Sequence, residues 1–199
     1  MKVRIYLEGG ARGAAKGNCR KAFRSFFGKV IARESFELIA SGDRYTAYKH
    51  FCLALKRHPE DYIVLLVDSE AAVTASPWQH LATRAEDKWP RPSGAHDDQV
   101  HLMVQVMESW FLADRETLAE YYDKGFLASS LPGQSNVEMI SKQDVLKALQ
   151  HSSKKTQKGP YHKTKHGFDL LELIEPTRVR AASNHADRLL SMLEKITAV

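Results

Sequence analysis

Cysteine is scarce in this chain: Cys19 and Cys52 are the only two, and neither stands in a CxxC or Cys/His spacing. That excludes a disulfide framework and a structural zinc site, and leaves buried free thiols as the reading. Long apolar runs are also missing, so no segment approaches the roughly 20 residues that cross a bilayer. The opening MKVRIYLEGG is too short in its apolar part and too charged for a secretory leader, so a cytoplasmic protein with no membrane partner is expected. No GxxxxGK[ST] phosphate loop occurs, and any ATP hydrolysis would have to come from another polypeptide. Internal repeats and long low-complexity tracts are lacking too.

What is present suits one domain. The chain has 199 residues, 43% of them hydrophobic and 27% charged, enough for a single well-buried core. A net charge of +5 is moderate, but its distribution is uneven. HSSKKTQKGPYHKTKH, from His151 to His166, carries five lysines, three histidines and no acid. The motif-like carboxylates lie mostly between Asp61 and Asp114. Such segregation suits an anionic ligand held near a metal.

Periodicity sets out the elements. VRIYL reads as a strand, and residues 16–32 place Cys19, Ala22, Phe23, Phe26, Phe27 and Val30 on one helical face. SFELIAS is a second strand. Asp43 stands as the cap of a helix running to about Arg57 and ended by Pro59. YIVLLVDSE is the clearest strand, its unbroken aliphatics indicating burial on both faces. The order strand, helix, strand, helix, strand predicts an α/β fold with a mostly parallel sheet flanked by helices. Residues 71–97 read as a long irregular connection, and a helix is predicted from about Asp97 through VHLMVQVMESWFLAD. On it His101, Gln105 and Glu108 would form one polar stripe. Further helices are expected at ETLAEYYD, SKQDVLKALQ and HGFDLLELI, with a C-terminal amphipathic helix from about Ser183 to Lys195.

In parallel sheets the working site lies beyond the carboxyl ends of the strands. Glu8, followed by Gly9 and Gly10, ends the first strand at that edge, and Asp68 and Glu70 end the third. Glycines there permit close approach of a ligand or of another strand end. Carboxylates brought together repel unless a hard divalent cation or a proton offsets them, so Mg2+ (or Mn2+) on Glu8, Asp68 and Glu70 is the economical explanation. Plainer readings compete: a solvent-facing turn for Glu8, capping acids for Asp68 and Glu70, a satisfied buried network for the stripe, and a solvated surface for the lysines.

These residues carry a resemblance. A strand ending in Glu8-Gly9, then helix, strand, helix, and a strand ending in Asp68-Ser69-Glu70 resembles the Toprim domain of topoisomerases, primases and the overcoming-lysogenization-defect nucleases, over roughly residues 1–115. With MESWFLAD, KGPYHK and His166 the chain is similar over nearly its whole length to a bacterial Toprim-like family associated with ATPases and phage-defence loci. The resemblance implies a Toprim-like Rossmannoid core with a helical, basic extension over about 116–199. It also implies Glu8 as general acid/base or metal ligand, and Asp68 and Glu70 as holders of magnesium. Two departures are plain. Glu70 replaces the usual second aspartate, lengthening the ligand arm, and the phosphate-transferring tyrosine of topoisomerases has no identifiable counterpart, Tyr161 being a weak candidate, so hydrolysis is favoured over strand passage.

On the enzymatic reading, the metal-bound site would cleave phosphodiesters of DNA or RNA, with Glu108 and His101 completing the shell and Lys163, His162 and His166 neutralising the phosphate beside Gly9 and Gly10. Two alternatives stand beside this nuclease: a non-catalytic module that binds nucleic acid or nucleotide and works with a partner ATPase, and a small-molecule phosphohydrolase.

Overall fold

The computed structural model describes residues 1–10 and 13–198. Four parallel strands form the sheet: β1 (Val3–Leu7), β2 (Phe36–Ala40), β3 (Tyr62–Asp68) and β4 (Val100–Met103), in the spatial order β2-β1-β3-β4. The fold is α/β, with helices on both faces and a helical C-terminal half. Between the strands run α1 (Ala14–Phe27), α2 (Arg44–Arg57) and α3 (Pro77–Thr83). After β4 come α4 (Ser109–Ala113), α5 (Arg115–Tyr122), α6 (Lys142–Ser153), α7 (Lys163–Leu173), α8 (Pro176–Ala182) and α9 (Asn184–Thr197). Among the described residues no helix is long and apolar enough to cross a membrane.

Side-chain alternation divides the core in two. Val64 and Leu66 of β3 join Ile5, Leu38 and the phenylalanines of α1 on one face, while Ile63, Leu65 and Val67 join Phe51, Trp78 and Leu81 on the other. The unbroken aliphatics of β3 are thus accounted for, since each face has its own helical cover. The first face is the thicker, because α1 and the C-terminal helices pack there around Phe26, whose ring stacks on Trp110 at 5.1 Å. Both rings are fully buried. Phe26→Ala should therefore cost about 3–5 kcal/mol of unfolding free energy, read from the denaturant midpoint at an unchanged slope.

Two expectations need correcting. The helix predicted from Asp97 does not exist: a short 3-10 turn leads into β4, and α4 is only the Ser109–Ala113 portion. Residues 100–112 are buried throughout, and a short apolar run buried on all sides has no periodicity by which helix and strand can be told apart. The connection 71–97 in turn contains α3, whose capping box joins Ser76 and Gln79 and whose first residue is Pro77. Asp43 caps α2 as expected, its side chain accepting from Thr46 N, and Ser183 caps α9 in the same way, accepting from Ala186 N.

Candidate functional site

The parallel register aligns the carboxyl ends of β1 and β3. Leu7 pairs with Leu66, so the residue after β1, Glu8, lies beside Asp68, the last residue of β3. The main chain locks them together: Glu8 N donates to Leu66 O at 3.2 Å, and Asp68 N donates to a Glu8 carboxylate oxygen at 3.2 Å. Beyond Asp68 the chain turns through Glu70, at φ 64°, while Ser69 N and Glu70 N donate to Met103 O and Gln105 O. His80 of α3 supports the turn through a 2.8 Å contact with Ser69 O. As a result Glu8, Asp68 and Glu70 each offer an oxygen within 4.8 Å of the others.

Glu108 joins them from the turn after β4. It is fully buried; one carboxylate oxygen accepts from the Tyr161 hydroxyl at 3.0 Å, and the other has no partner among the described residues. Lys163 spans the group, its ammonium 3.7 Å from Asp68 Oδ2 and 3.6 Å from Glu108 Oε1. Lys142 pairs with Glu70. Arg44 donates to Asp68 O, lies 3.5 Å from Glu8 Oε2, binds Asp87 at 2.6 Å and has its guanidinium over Trp89. Each of these three cations is the first residue of its helix: α2, α6 and α7 begin with Arg44, Lys142 and Lys163. A cation at a helix amino end opposes the helix dipole, so its presence there is compensated by the acids it faces.

A family model described as Domain of unknown function (DUF4276) matches residues 8–194. The chain belongs to this family. No curated protein and no solved structure matches it. The stretch shared with DUF4276 starts at Glu8 and takes in every acid and cation of the cluster.

The electrostatics of the DUF4276 site follow from its depth. Burial pushes the Asp68 carboxyl up to about 8, the neighbouring Glu8 carboxylate adds to the rise, and the Met107 N–H, donating at 2.7 Å, opposes it. Glu8 is raised by burial against the pull of Arg44. Lys163 is raised, the loss of hydration being outweighed by the surrounding acids, Asp68 first. Tyr161 is raised by burial and by Glu108, so its hydroxyl stays a proton donor to that carboxylate.

Other residues expected at the site lie elsewhere. His101 is on β4, against Asp98 O and Arg188, and burial together with the Arg188 charge pushes it down to about 3. It is neutral, and the polar stripe expected of His101, Gln105 and Glu108 does not form, because β4 is extended rather than helical. Gln105 accepts from Lys142 N at 3.1 Å, which fixes the start of α6. His166 is buried among Tyr121, Tyr122 and Tyr161, its Nδ1 accepting from His162 N. His162 is exposed and contacts Thr164. Gly9 and Gly10 do line the cleft beside Glu8, at φ 130° and 69°, and a Cβ on Gly10 would lie 2.7 Å from the backbone of Ala15 and Lys16, one on Gly9 3.0 Å from Cys19 Sγ. Cys19 is buried, as expected of a core thiol, and is pushed up to about 12 by that burial.

Proposed function

We propose that this chain is a Toprim-like phosphodiesterase that uses Mg2+ or Mn2+ to hydrolyse nucleic acid. The observation that carries the reading is the convergence of Glu8, Asp68 and Glu70 from two strand ends within 4.8 Å. With Glu108 these make four acids facing three cations, one of which, Arg44, is shared with Asp87, so repulsion is only partly offset and the cluster can take a further positive charge. The donor set fits a hard divalent cation: the ligand atoms are all carboxylate oxygens, and Glu108 keeps one buried oxygen without a partner among the described residues.

Glu8, Asp68 and Glu70 would hold the ion, with Glu70 leaving Lys142 to do so. When bound, such an ion lowers the pKa of water and polarises a phosphoryl oxygen. The rest falls to the chain. Glu8, at the open side, accepts a proton from the attacking water. Asp68 is oriented by Met107 N and Glu108 by Tyr161. The Lys163 ammonium, between Asp68 and Glu108 yet 60% exposed in its side chain, neutralises charge developing on the phosphate. The exposed lysines before it, Lys154, Lys155 and Lys158, supply the contacts that a nucleic-acid backbone requires.

The test is cleavage of single- and double-stranded DNA and of RNA, with Mg2+, Mn2+ or chelator, by the parent and by Glu8→Gln. Products that need metal and fall by about 10²-fold or more in the variant are expected. Absence of products on every polymer, with tight metal-dependent association with a partner ATPase, would replace hydrolysis by a binding role.

A further inference from the structure

Glu8 stands between two unlike hollows. On one side a cleft of about 480 Å3 is lined by charge, with Arg44, Arg84, Asp43 and Asp87 among its walls. On the other, a cleft of about 310 Å3 has Glu8 and Asp68 in its wall and is otherwise largely apolar, with Ala15, Met103, Met107 and Phe168 along it. The second cleft opens between the amino ends of α1 and α7, where Asn18 and Thr164 add polar groups and Lys163 adds the charge. Hydrolysis of a phosphate alone gives no reason for an apolar hollow beside carboxylates. A substrate whose phosphate is joined to a flat apolar group does.

We propose that this cleft receives one unpaired nucleobase next to the phosphate being cleaved, so that the preferred substrate is single-stranded nucleic acid. The proposal rests on the phosphodiesterase reading and names its substrate class. Thioether and phenyl groups suit the face of any base, and contacts of that kind are tolerant of sequence. The volume is at the small end of ligand sites, in keeping with one ring system rather than a stacked pair. Charge is complementary as well: the phosphate would lie at the Lys163 end, by the carboxylates and their ion, while the adjoining backbone would follow the charged hollow beyond Glu8. A base held in a duplex must leave its stack to enter a walled cleft, at a cost of a few kcal/mol that a single strand does not incur.

The test separates binding from turnover. With Ca2+ in place of Mg2+, fluorescence anisotropy would compare a short dT oligonucleotide with a blunt duplex of the same length, for the parent and for Ala15→Leu. Leucine at Ala15 suits the helix and narrows the cleft without replacing an acid. The parent should bind the single strand at least about ten-fold more tightly than the duplex, and the variant should lose about ten-fold, or ~1.4 kcal/mol, on the single strand alone. A 2-aminopurine placed in the oligonucleotide should change its emission with the parent and less with the variant, whose thermal midpoint should match the parent's. Equal affinity for duplex and single strand, or an Ala15→Leu protein that binds the single strand as the parent does, would overturn the base cleft while leaving metal-dependent cleavage standing. Failure to bind or cleave any polymer would overturn both.

Discussion

Asp68→Asn should abolish metal-dependent cleavage and yet, in chelator, give a protein more stable than its parent. The two halves of this result have one cause. Asp68 is 2% exposed, and burial with the adjacent Glu8 raises its carboxyl to about 8, against an ordinary value of 3.8. The folded metal-free protein therefore binds a proton that the unfolded chain releases. Between those two values the folded state holds more protons, so stability falls as pH rises through the window, and above it the whole penalty is present. Asparagine cannot ionise, keeps an oxygen for the Met107 N–H and adds little volume, which removes the penalty. The expected gain at pH 9 is on the order of 2 kcal/mol by denaturant unfolding, and it should vanish near pH 4. Added Mg2+ should reverse the ranking, since a ligand that binds only the folded state stabilises by about 2.7 kcal/mol at a hundred times its Kd, and the variant lacks the ligand atom that matters most. A variant that is destabilised at every pH, or that still cleaves, would remove Asp68 from the role given to it.

The acids of this site were legible in the sequence because strand ends are. VRIYLEGG and YIVLLVDSE announce their own termini, and the parallel order brings both to one edge, where the structure has them. Tertiary context decided the remainder. HLMVQVMESWFL is apolar on every side, so its spacing of polar residues imitated a helical stripe; in the fold His101 points to Arg188 while Glu108, on a turn, reaches Lys163, which also faces Asp68. The α3 segment did carry a local signal, Ser76-Pro77 with Gln79 three residues after the cap, and its neighbours Trp78 and Trp89 turn out to be core. Basic residues just inside a helix start were the signal that would have found the cations. Asp43-Arg44 and Ser141-Lys142 each put a cation directly after a cap, where the dipole favours acids, and in both the positive charge answers a carboxylate from another element. Only Lys163 of the three was singled out by composition, through the lysine-rich stretch that surrounds it.

Arg44 should prove as sensitive as the acids although it holds neither the ion nor the phosphate being cleaved. Its guanidinium serves Asp68 O, Glu8 and Asp87 at once and lies over Trp89, with 14% of the side chain exposed. A planar fork can satisfy partners in several directions; a lysine ammonium on a flexible stem satisfies one or two and loses the stacking. Arg44→Lys should therefore recover little of what Arg44→Ala loses. For the alanine variant about 3–5 kcal/mol of stability is expected to go, because Asp87 and Glu8 stay buried with less positive charge to answer them. A structural role alone would stop there, and the pH–rate profile tells the difference. Arg44 is the charge that most opposes the upward push of burial on Glu8, so without it the Glu8 carboxyl rises further. Cleavage needs that carboxylate ionised, and the acid limb of kcat/KM should move to higher pH in Arg44→Ala and less in Arg44→Lys, which keeps the charge, with kcat down by about 10²-fold in both even on the plateau as the Asp68 backbone shifts. An unmoved acid limb in a folded Arg44→Ala protein would mean that the arginine only holds the loop of Asp87 in place, and that Glu8 is set by other groups.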